Sequence, residues 1–414
     1  MSSPYQRTPV RAPRLSGWTL RLACSLIETP GIGRLIAQKT LRDMGLPKLM
    51  MTQAMEGHPM TPQRLTPRPA QGNHGQADAA PLFRHNAARP TPTSADYHRG
   101  YQEGAFTPID VAQRVLEVTA ASNQDKPPLR ALIQQDKEDV LEQAHAATER
   151  WQRGQPLSML DGVPIALKDE VDARPYPTTV GTGFLGDHPA QSDATAVARL
   201  RAAGALLIGK ANMHELGIGV TGINPHHGAA RNPYDSQHCT GGSSSGSAAA
   251  VASGLCPIAL GADGGGSIRI PASLCGIYGL KPTFGRISEH GAAPLCWSVA
   301  HLGPMATSPA DLALALAVMS GPDPQDPMSL NRPPLNLGAA ETLDMTGVRI
   351  GVYSDWFDDA DPAVVAAARA GLQTLVSAGA TCVEVVVPNP DLTRLAHMVT
   401  IVSEMLTSMR QQLD

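Results

Sequence analysis

Residues Gly241 to Pro271 read GGSSSGSAAAVASGLCPIALGADGGGSIRIP, and this stretch decides how the rest of the chain is interpreted. From Gly241 to Ser267 it contains eight glycines and six serines among 27 residues, and its first charged residue is Asp263. Both ends, GGSSSGS and DGGGSIR, can turn sharply because glycine has no side chain to restrict the backbone. The apolar centre is suited to burial. Two serine-bearing glycine turns on a buried scaffold indicate a hydrolytic site.

Short apolar runs alternate with amphipathic segments along the rest of the chain. The runs that predict strands lie at 163–167, 205–209, 257–261, 349–353 and 383–387. The segments that predict helices start near 107 and 308 or span 136–152, 194–203, 245–254 and 362–378. Alternation of this kind is typical of a sheet with helices on both faces. We therefore expect an α/β fold.

The composition predicts a soluble globular protein with reduced thiols. With 414 residues, 42% of them apolar, the chain can bury a large core, and its net charge of -4 gives no reason to expect a nucleic-acid partner. The cysteines lack the CxxC spacing of a metal site, and their scatter favours a cytoplasmic protein over a disulfide framework. They are Cys24, Cys239, Cys256, Cys275, Cys296 and Cys382.

Three segments are expected: a basic amphipathic extension at 1–56, a Pro-rich connector at 57–106 and a catalytic domain at 107–414. The first 50 residues carry eight Arg or Lys against two acidic residues. No window is long and apolar enough for a transmembrane helix. Residues 16–44 can form an interrupted amphipathic helix, which either packs on its own protein or touches a membrane surface from the cytoplasmic side.

An amide-cleaving site needs a nucleophile, a base and donors for the oxyanion. Ser267 follows three glycines, Gly264, Gly265 and Gly266, whose amides can converge on one point because no Cβ blocks the required dihedrals. Losing one such donor typically costs about 3 kcal/mol of transition-state stabilisation. For the base, the sequence offers Lys168 at the end of an apolar run, where burial would favour a neutral amine. A solvated lysine is the alternative.

At these residues the chain resembles the amidase-signature family of serine hydrolases. The segments that carry the resemblance, in order between about 107 and 326, are GVPIALKD, LIGKANMHELG, RNPYDSQHCTGGSSSGS and GADGGGSIRIPASLCGIYGLKPTFGR. The resemblance implies a central mixed sheet covered by helices. It also implies a small-molecule amide substrate, no metal and no organic cofactor. The oligomeric state stays open, with a homodimer among the options.

Carried over residue by residue, the resemblance implies that Ser267 is the nucleophile, Lys168 the base and Ser243 the serine that passes the proton between them. It implies a cis peptide between Gly242 and Ser243. The oxyanion hole falls on Gly264, Gly265, Gly266 and the amide of Ser267. Structural roles near the site are expected for Asp263, Arg269 and Ser244.

Other constellations lack the context their chemistry needs. Two GxGxxG matches, at 181–186 and 217–222, neither follow a strand nor open a helix, as dinucleotide binding requires. Cys239 has no base placed by a motif, so a buried small residue is expected there. Four histidines show no metal-ligand spacing, so we expect them to lie in loops or to support the residues of the site. They are His214, His226, His227 and His238.

Within the family, the sequence is most similar to plant-type fatty acid amide hydrolases and their bacterial relatives. The long N-terminal extension is similar to theirs, and the resemblance implies hydrolysis of N-acylethanolamines or related fatty amides. The alternatives are a broad small-amide amidase, the amidase subunit of a tRNA amidotransferase and a non-catalytic partner protein. Family members continue beyond residue 414, so a C-terminally truncated, inactive fragment is a further alternative.

Overall fold

A computed structural model describes residues 17–29, 31–46, 91–332, 335, 337 and 344–410. The strands are β1 Leu132–Gln134, β2 Pro164–Lys168, β3 Leu206–Ala211, β4 Arg231–Asn232, β5 Asp235–Cys239, β6 Ile258–Ala262, β7 Tyr278–Gly279, β8 Leu302–Ala306, β9 Arg349–Val352 and β10 Thr381–Glu384. The helices are α1 Gly17–Glu28, α2 Ile32–Asp43, α3 Ser94–Gln102, α4 Pro108–Ser122, α5 Lys137–Gln152, α6 Thr195–Ala202, α7 Ser245–Ala252, α8 Arg269–Leu274, α9 Pro309–Met319, α10 Ser354–Phe357, α11 Pro362–Ser377 and α12 Pro390–Ser408. A short 3₁₀ helix spans Glu215–Gly217.

The central sheet has six strands in the order β1-β3-β2-β6-β8-β7. β2 runs parallel to both β3 and β6, whereas β1, β8 and β7 pair antiparallel to their neighbours. The predicted α/β fold with a mixed sheet is thereby confirmed. The parallel strands β2 and β6 end at the same edge of the sheet. Lys168 is the last residue of β2, and Ser267 lies in the loop that follows β6.

Burial explains why the strands read as continuous apolar runs. Every residue of β2, β3, β6 and β8 is buried, as expected for strands covered on both faces. Helix α7 packs on this sheet with seven buried residues, most of them alanine, serine or glycine. Small side chains let the helix approach the strands closely, which brings its first turn next to the end of β6.

Capping residues set the helix starts that the sequence predicts. Thr107 and Asp110 form a reciprocal capping box at α4, and Ser308 caps α9 by accepting a hydrogen bond from the amide of Asp311. One helix was not foreseen: α3 lies inside the segment read as a Pro-rich connector. It buries Tyr97 and Tyr101, and the Tyr101 hydroxyl donates to the Gly162 carbonyl at 2.8 Å.

The described chain separates into two compact units. The larger comprises residues within 66–341 and 404–414 and contains the central sheet. The smaller comprises residues within 1–65 and 342–403, and in it β9 and β10 form a parallel two-stranded sheet. The strand predicted at 383–387 lies earlier in the chain than expected: β10 spans Thr381–Glu384, and the three valines after it are exposed. None of the described helices is long and apolar enough to cross a membrane.

Candidate active site

Lys168 is the last residue of β2 and is buried, with 1% of its surface exposed. Its Nζ donates to Ser243 Oγ at 2.8 Å and to the carbonyl of Ala262 at 3.2 Å. Ala262 ends the neighbouring strand β6, so that acceptor is held by regular structure. The amine of a lysine and the hydroxyl of a serine 75 residues away therefore meet in a dry interior, where a proton can pass directly between them.

Ser243 lies just before helix α7, and the peptide bond between Gly242 and Ser243 is cis, as the family resemblance implies. A side chain at position 242 would clash with backbone, because a Cβ there would lie 2.6 Å from the amide nitrogen of Gly222. The Ser243 carbonyl accepts from the His214 amide at 3.0 Å. These contacts fix the Ser243 backbone and direct its hydroxyl toward Lys168.

Ser267 lies on the loop between β6 and α8 and keeps 9% of its surface exposed. Its carbonyl accepts a hydrogen bond from the amide of Ser244 at 3.2 Å, which ties this loop to the turn that carries Ser243. The structure therefore places the loop of the predicted nucleophile directly beside the lysine and serine of the predicted proton path.

The carboxylate of Asp263 holds the Ser267 loop through hydrogen bonds. This fully buried carboxylate accepts from the amides of Gly266 at 2.6 Å and Ile268 at 3.1 Å, and Arg269 binds it through Nε and Nη2, both at 2.9 Å. Burial works to raise the pKa of Asp263, but the hydrogen bonds from Arg269 and the two amides outweigh it and leave the pKa below its usual value. The carboxylate is therefore charged at neutral pH and holds the loop in one shape.

The amides predicted for the oxyanion hole fall into two groups, according to whether they already donate a hydrogen bond. The Gly266 amide already donates to Asp263, whereas the amides of Gly264, Gly265 and Ser267 donate to no acceptor in the described part of the chain. Space at position 264 is tight, because a Cβ there would lie 2.8 Å from the Sγ atom of Cys296. Three amides of the loop that carries Ser267 are thus available to a developing oxyanion.

The remaining candidates lie outside this cluster or bond to backbone. The Ser244 hydroxyl donates to the Ala262 carbonyl and accepts from its amide. Cys239 is exposed at the end of β5, so the expectation that it is buried was wrong, because the described strand β5 leaves most of its residues open to solvent. His226 pairs with Glu215 at 2.7 Å, and within the described residues no group of three or more His, Cys, Asp and Glu is placed to hold a metal ion. The GxGxxG segment at 181–186 lies in a loop, and the one at 217–222 starts at the last residue of the 3₁₀ helix and continues as a loop.

Two acidic residues near the site were missed by the reading of the sequence. Glu170 Oε2 lies 2.6 Å from Lys168 Nζ. Glu289, from a distant loop, accepts from the Leu302 amide at 2.6 Å, and burial raises its pKa to about 8. The only signal for Glu170 was its position just after Lys168, and nothing in the sequence pointed to Glu289.

The raised pKa of Glu289 predicts a pH-dependent stability. The ordinary pKa of a glutamate carboxyl is 4.5, and burial raises the pKa of Glu289 to about 8 in the folded chain. Between these two pH values the folded state therefore binds more protons than the unfolded state. Stability therefore falls as the pH rises through this window. We expect Glu289→Gln to flatten the decline of the thermal midpoint across it, measured by calorimetry. The exposed Glu138→Gln is the control, and equal slopes in both variants would contradict this assignment.

Comparison with known proteins places the chain in a family. The sequence model of the amidase family matches residues 114–413. The fatty acid amide hydrolase of Arabidopsis thaliana is 36% identical over 98% of this chain and 72% of its own length. The chain belongs to the amidase family. The fatty acid amide hydrolase of Oryza sativa subsp. japonica is 38% identical over 97% of this chain and 71% of its own length, so we describe the chain as an amide-hydrolysing enzyme similar to plant fatty acid amide hydrolases.

Other relatives match a smaller part of the chain. A glutamyl-tRNA(Gln) amidotransferase subunit from Chloroflexus aggregans is 43% identical, but over only 70% of this chain and 59% of its own length. The crystal structure of the native peptide amidase from Stenotrophomonas maltophilia superposes with a TM-score of 0.70 and 32% identity, covering 78% of this chain and 67% of the other. The amidase-signature fold expected from the sequence is thereby confirmed.

Proposed function

We propose that this amidase hydrolyses fatty acid amides of the N-acylethanolamine type to a fatty acid and an amine, through an acyl-enzyme at Ser267. The observation that carries the mechanism is the buried 2.8 Å contact between Lys168 Nζ and Ser243 Oγ, beside a loop that presents Ser267 and unoccupied amides. The contact joins a base to a hydroxyl, and the loop adds a second hydroxyl and the donors for an oxyanion.

In the proposed reaction, neutral Lys168 takes the proton of Ser243, and Ser243 takes the proton of Ser267 as Ser267 Oγ attacks the amide carbonyl. The amides of Gly264, Gly265 and Ser267 stabilise the negative charge that forms on the carbonyl oxygen. The relay then runs in reverse and protonates the leaving amine. Water attacks the acyl-enzyme by the same route, which releases the acid and restores both serines.

The preference for a fatty amide rests on how much of the chain each relative matches. The two plant fatty acid amide hydrolases match 97% and 98% of the chain, including N-terminal residues, whereas the amidotransferase subunit matches 70%. The N-terminal residues contain α1 and α2, which bury none of their side chains and expose several large apolar ones. Those most exposed are Trp18, Leu22, Ile27 and Leu35. A long-chain amide partitions into membranes, so an exposed apolar helix pair suits an enzyme that takes its substrate there.

A substrate panel tests the proposal. We expect N-acylethanolamines of long chain length to be hydrolysed with a kcat/KM at least about tenfold above short-chain analogues, since each buried methylene adds about 0.8 kcal/mol. Glutamine and small aliphatic amides serve as the competing substrates. Equal or faster turnover of the small amides would identify a broad amidase instead, and ammonia release from glutamine would favour the amidotransferase subunit.

Membrane contact through residues 16–44 is part of the same proposal. The full chain is expected to co-sediment with anionic liposomes at low salt and less so at high salt, because its basic residues add an electrostatic attraction. The control is the double variant Trp18→Ser, Leu22→Ser, which removes apolar surface and leaves the charge unchanged. Undiminished sedimentation of this variant would overturn the role of the apolar face.

A further inference from the structure

Glu170 lies beside the proposed base and takes no part in the proton path described above. Its Oε2 atom is 2.6 Å from Lys168 Nζ, and the side chains are 7% and 1% exposed. The pair has the distance of an ion pair, yet Oε2 accepts no hydrogen bond from the described residues. A buried carboxylate oxygen without a hydrogen bond is costly unless a charge compensates it. The Lys168 amine is the group placed to supply that charge when it binds a proton.

The backbone holds this carboxylate in place. Glu170 follows β2 in a tight turn, in which the Val171 amide donates to the Lys168 carbonyl at 3.2 Å, and its own carbonyl accepts from the Ala293 amide at 2.8 Å. A Cβ added at Gly217 would lie 3.6 Å from both Glu170 Oε2 and Ser243 Oγ. The carboxylate, the hydroxyl and the amine therefore share one small space.

Three titratable groups near Lys168 carry no charge near pH 7, so none of them competes with Glu170 for the lysine. Burial lowers the pKa of His214, raises that of Cys296 to about 12 and raises that of Glu289 to about 8. A histidine, a thiol and a carboxyl shifted in these directions all carry no charge at that pH.

The other charged groups around the site are engaged elsewhere. Asp169 pairs with Lys210 at 3.2 Å, and Asp263 is bound by Arg269. Two further carboxylates accept hydrogen bonds from loop amides or hydroxyls. They are Asp326, which binds the amides of Glu289 and Met328, and Glu404, which binds Ser298.

We propose that Glu170 is a positioning residue that sets the proton affinity of Lys168 and so fixes the pH at which the base becomes neutral. This inference rests on the proposed function, in which Lys168 is the base. The carboxylate stabilises the ammonium that forms when Lys168 accepts the Ser243 proton, which makes the lysine a stronger base. The same stabilisation moves the onset of activity to higher pH, because more of the resting enzyme is protonated.

The pH profile of Ser267 acylation tests this inference in the full chain. The rate of labelling by a fluorophosphonate probe, with the site of labelling located by mass spectrometry, is measured from mildly acidic to alkaline pH. In Glu170→Gln the acid limb of the profile is expected to shift by at least about one unit to lower pH, since an opposite charge at this distance moves a pKa by about one to three units. Glu170→Asp, which keeps the charge, is expected to keep the limb near that of the wild type.

Glu215→Gln is the matched control, because this neighbouring carboxylate pairs with His226 and not with Lys168. An unmoved acid limb in Glu170→Gln would overturn the inference, as would equal loss of labelling in the Gln and Asp variants at every pH. Where thermal unfolding shows that Glu170→Gln does not fold, Glu170→Ala takes its place with the same expected shift. Labelling of Ser267→Ala would instead refute the proposed function, so the two failures can be told apart.

Discussion

Ser267→Ala is expected to lower amide hydrolysis by about 10⁴-fold or more, because the proposed acyl-enzyme forms on the Ser267 hydroxyl and the described loop offers no other nucleophilic side chain. The fluorophosphonate probe should label wild-type protein at Ser267 alone and leave the variant unlabelled. The measurement is kcat/KM on the best long-chain amide together with peptide mass spectrometry of the probe adduct.

Ser247→Ala is the matched control for this change. Ser247 is a buried serine on α7 whose hydroxyl donates to the Leu260 carbonyl at 3.0 Å, away from the amine and the loop. Its activity should stay near that of wild type. Turnover by Ser267→Ala within about tenfold of the wild type would mean that the nucleophile lies elsewhere, and the mechanism would have to be abandoned.

Lys168→Met is expected to lower kcat/KM by about 10³-fold or more at neutral pH, because a methionine of similar length cannot accept the Ser243 proton. The comparison is made at several pH values, and the deficit should shrink as hydroxide replaces the base at high pH. Ser243→Ala should show a smaller but still large loss, since it removes the hydroxyl that relays the proton.

Stability has to be separated from chemistry at Lys168, because its removal leaves Glu170 buried without its partner. The double variant Lys168→Met, Glu170→Gln removes both charges together and is expected to unfold in a single cooperative transition. It should remain as inactive as Lys168→Met. Recovery of activity in the double variant would show that the lysine serves the fold and not the proton transfer.

Much of the fold could be predicted because burial and capping leave local traces in the sequence. The apolar runs of β2, β3 and β6 predict strands covered on both faces, and the Thr107–Asp110 pair predicts a helix start. Helix α3 was missed since its two buried tyrosines lie in a segment that otherwise looks like a linker. The β10 strand was predicted too far along the chain because the exposed valines after Glu384 have the same β propensity as buried ones.

Part of the candidate site could likewise be predicted from the sequence, and part could not. The glycine loop and the lysine at a strand end are visible because their residue types are unusual in those positions. The contact of Glu170 with Lys168 depends on a turn whose dihedrals the sequence does not reveal, and Glu289 arrives from a distant loop. That the Gly266 amide serves Asp263 and not the oxyanion is likewise a matter of three-dimensional geometry.

Because Gly264 lies so close to Cys296, the effect of a substitution at one position depends on the residue at the other. Alanine at 264 would place its methyl group against the cysteine sulfur at 2.8 Å and push a candidate oxyanion donor out of place. A smaller residue at 296 would free that space. In a library that varies both positions, functional sequences with alanine at 264 should therefore carry glycine or alanine at 296. Alanine at 264 with the cysteine retained should be depleted, so the effects of the two changes are not additive.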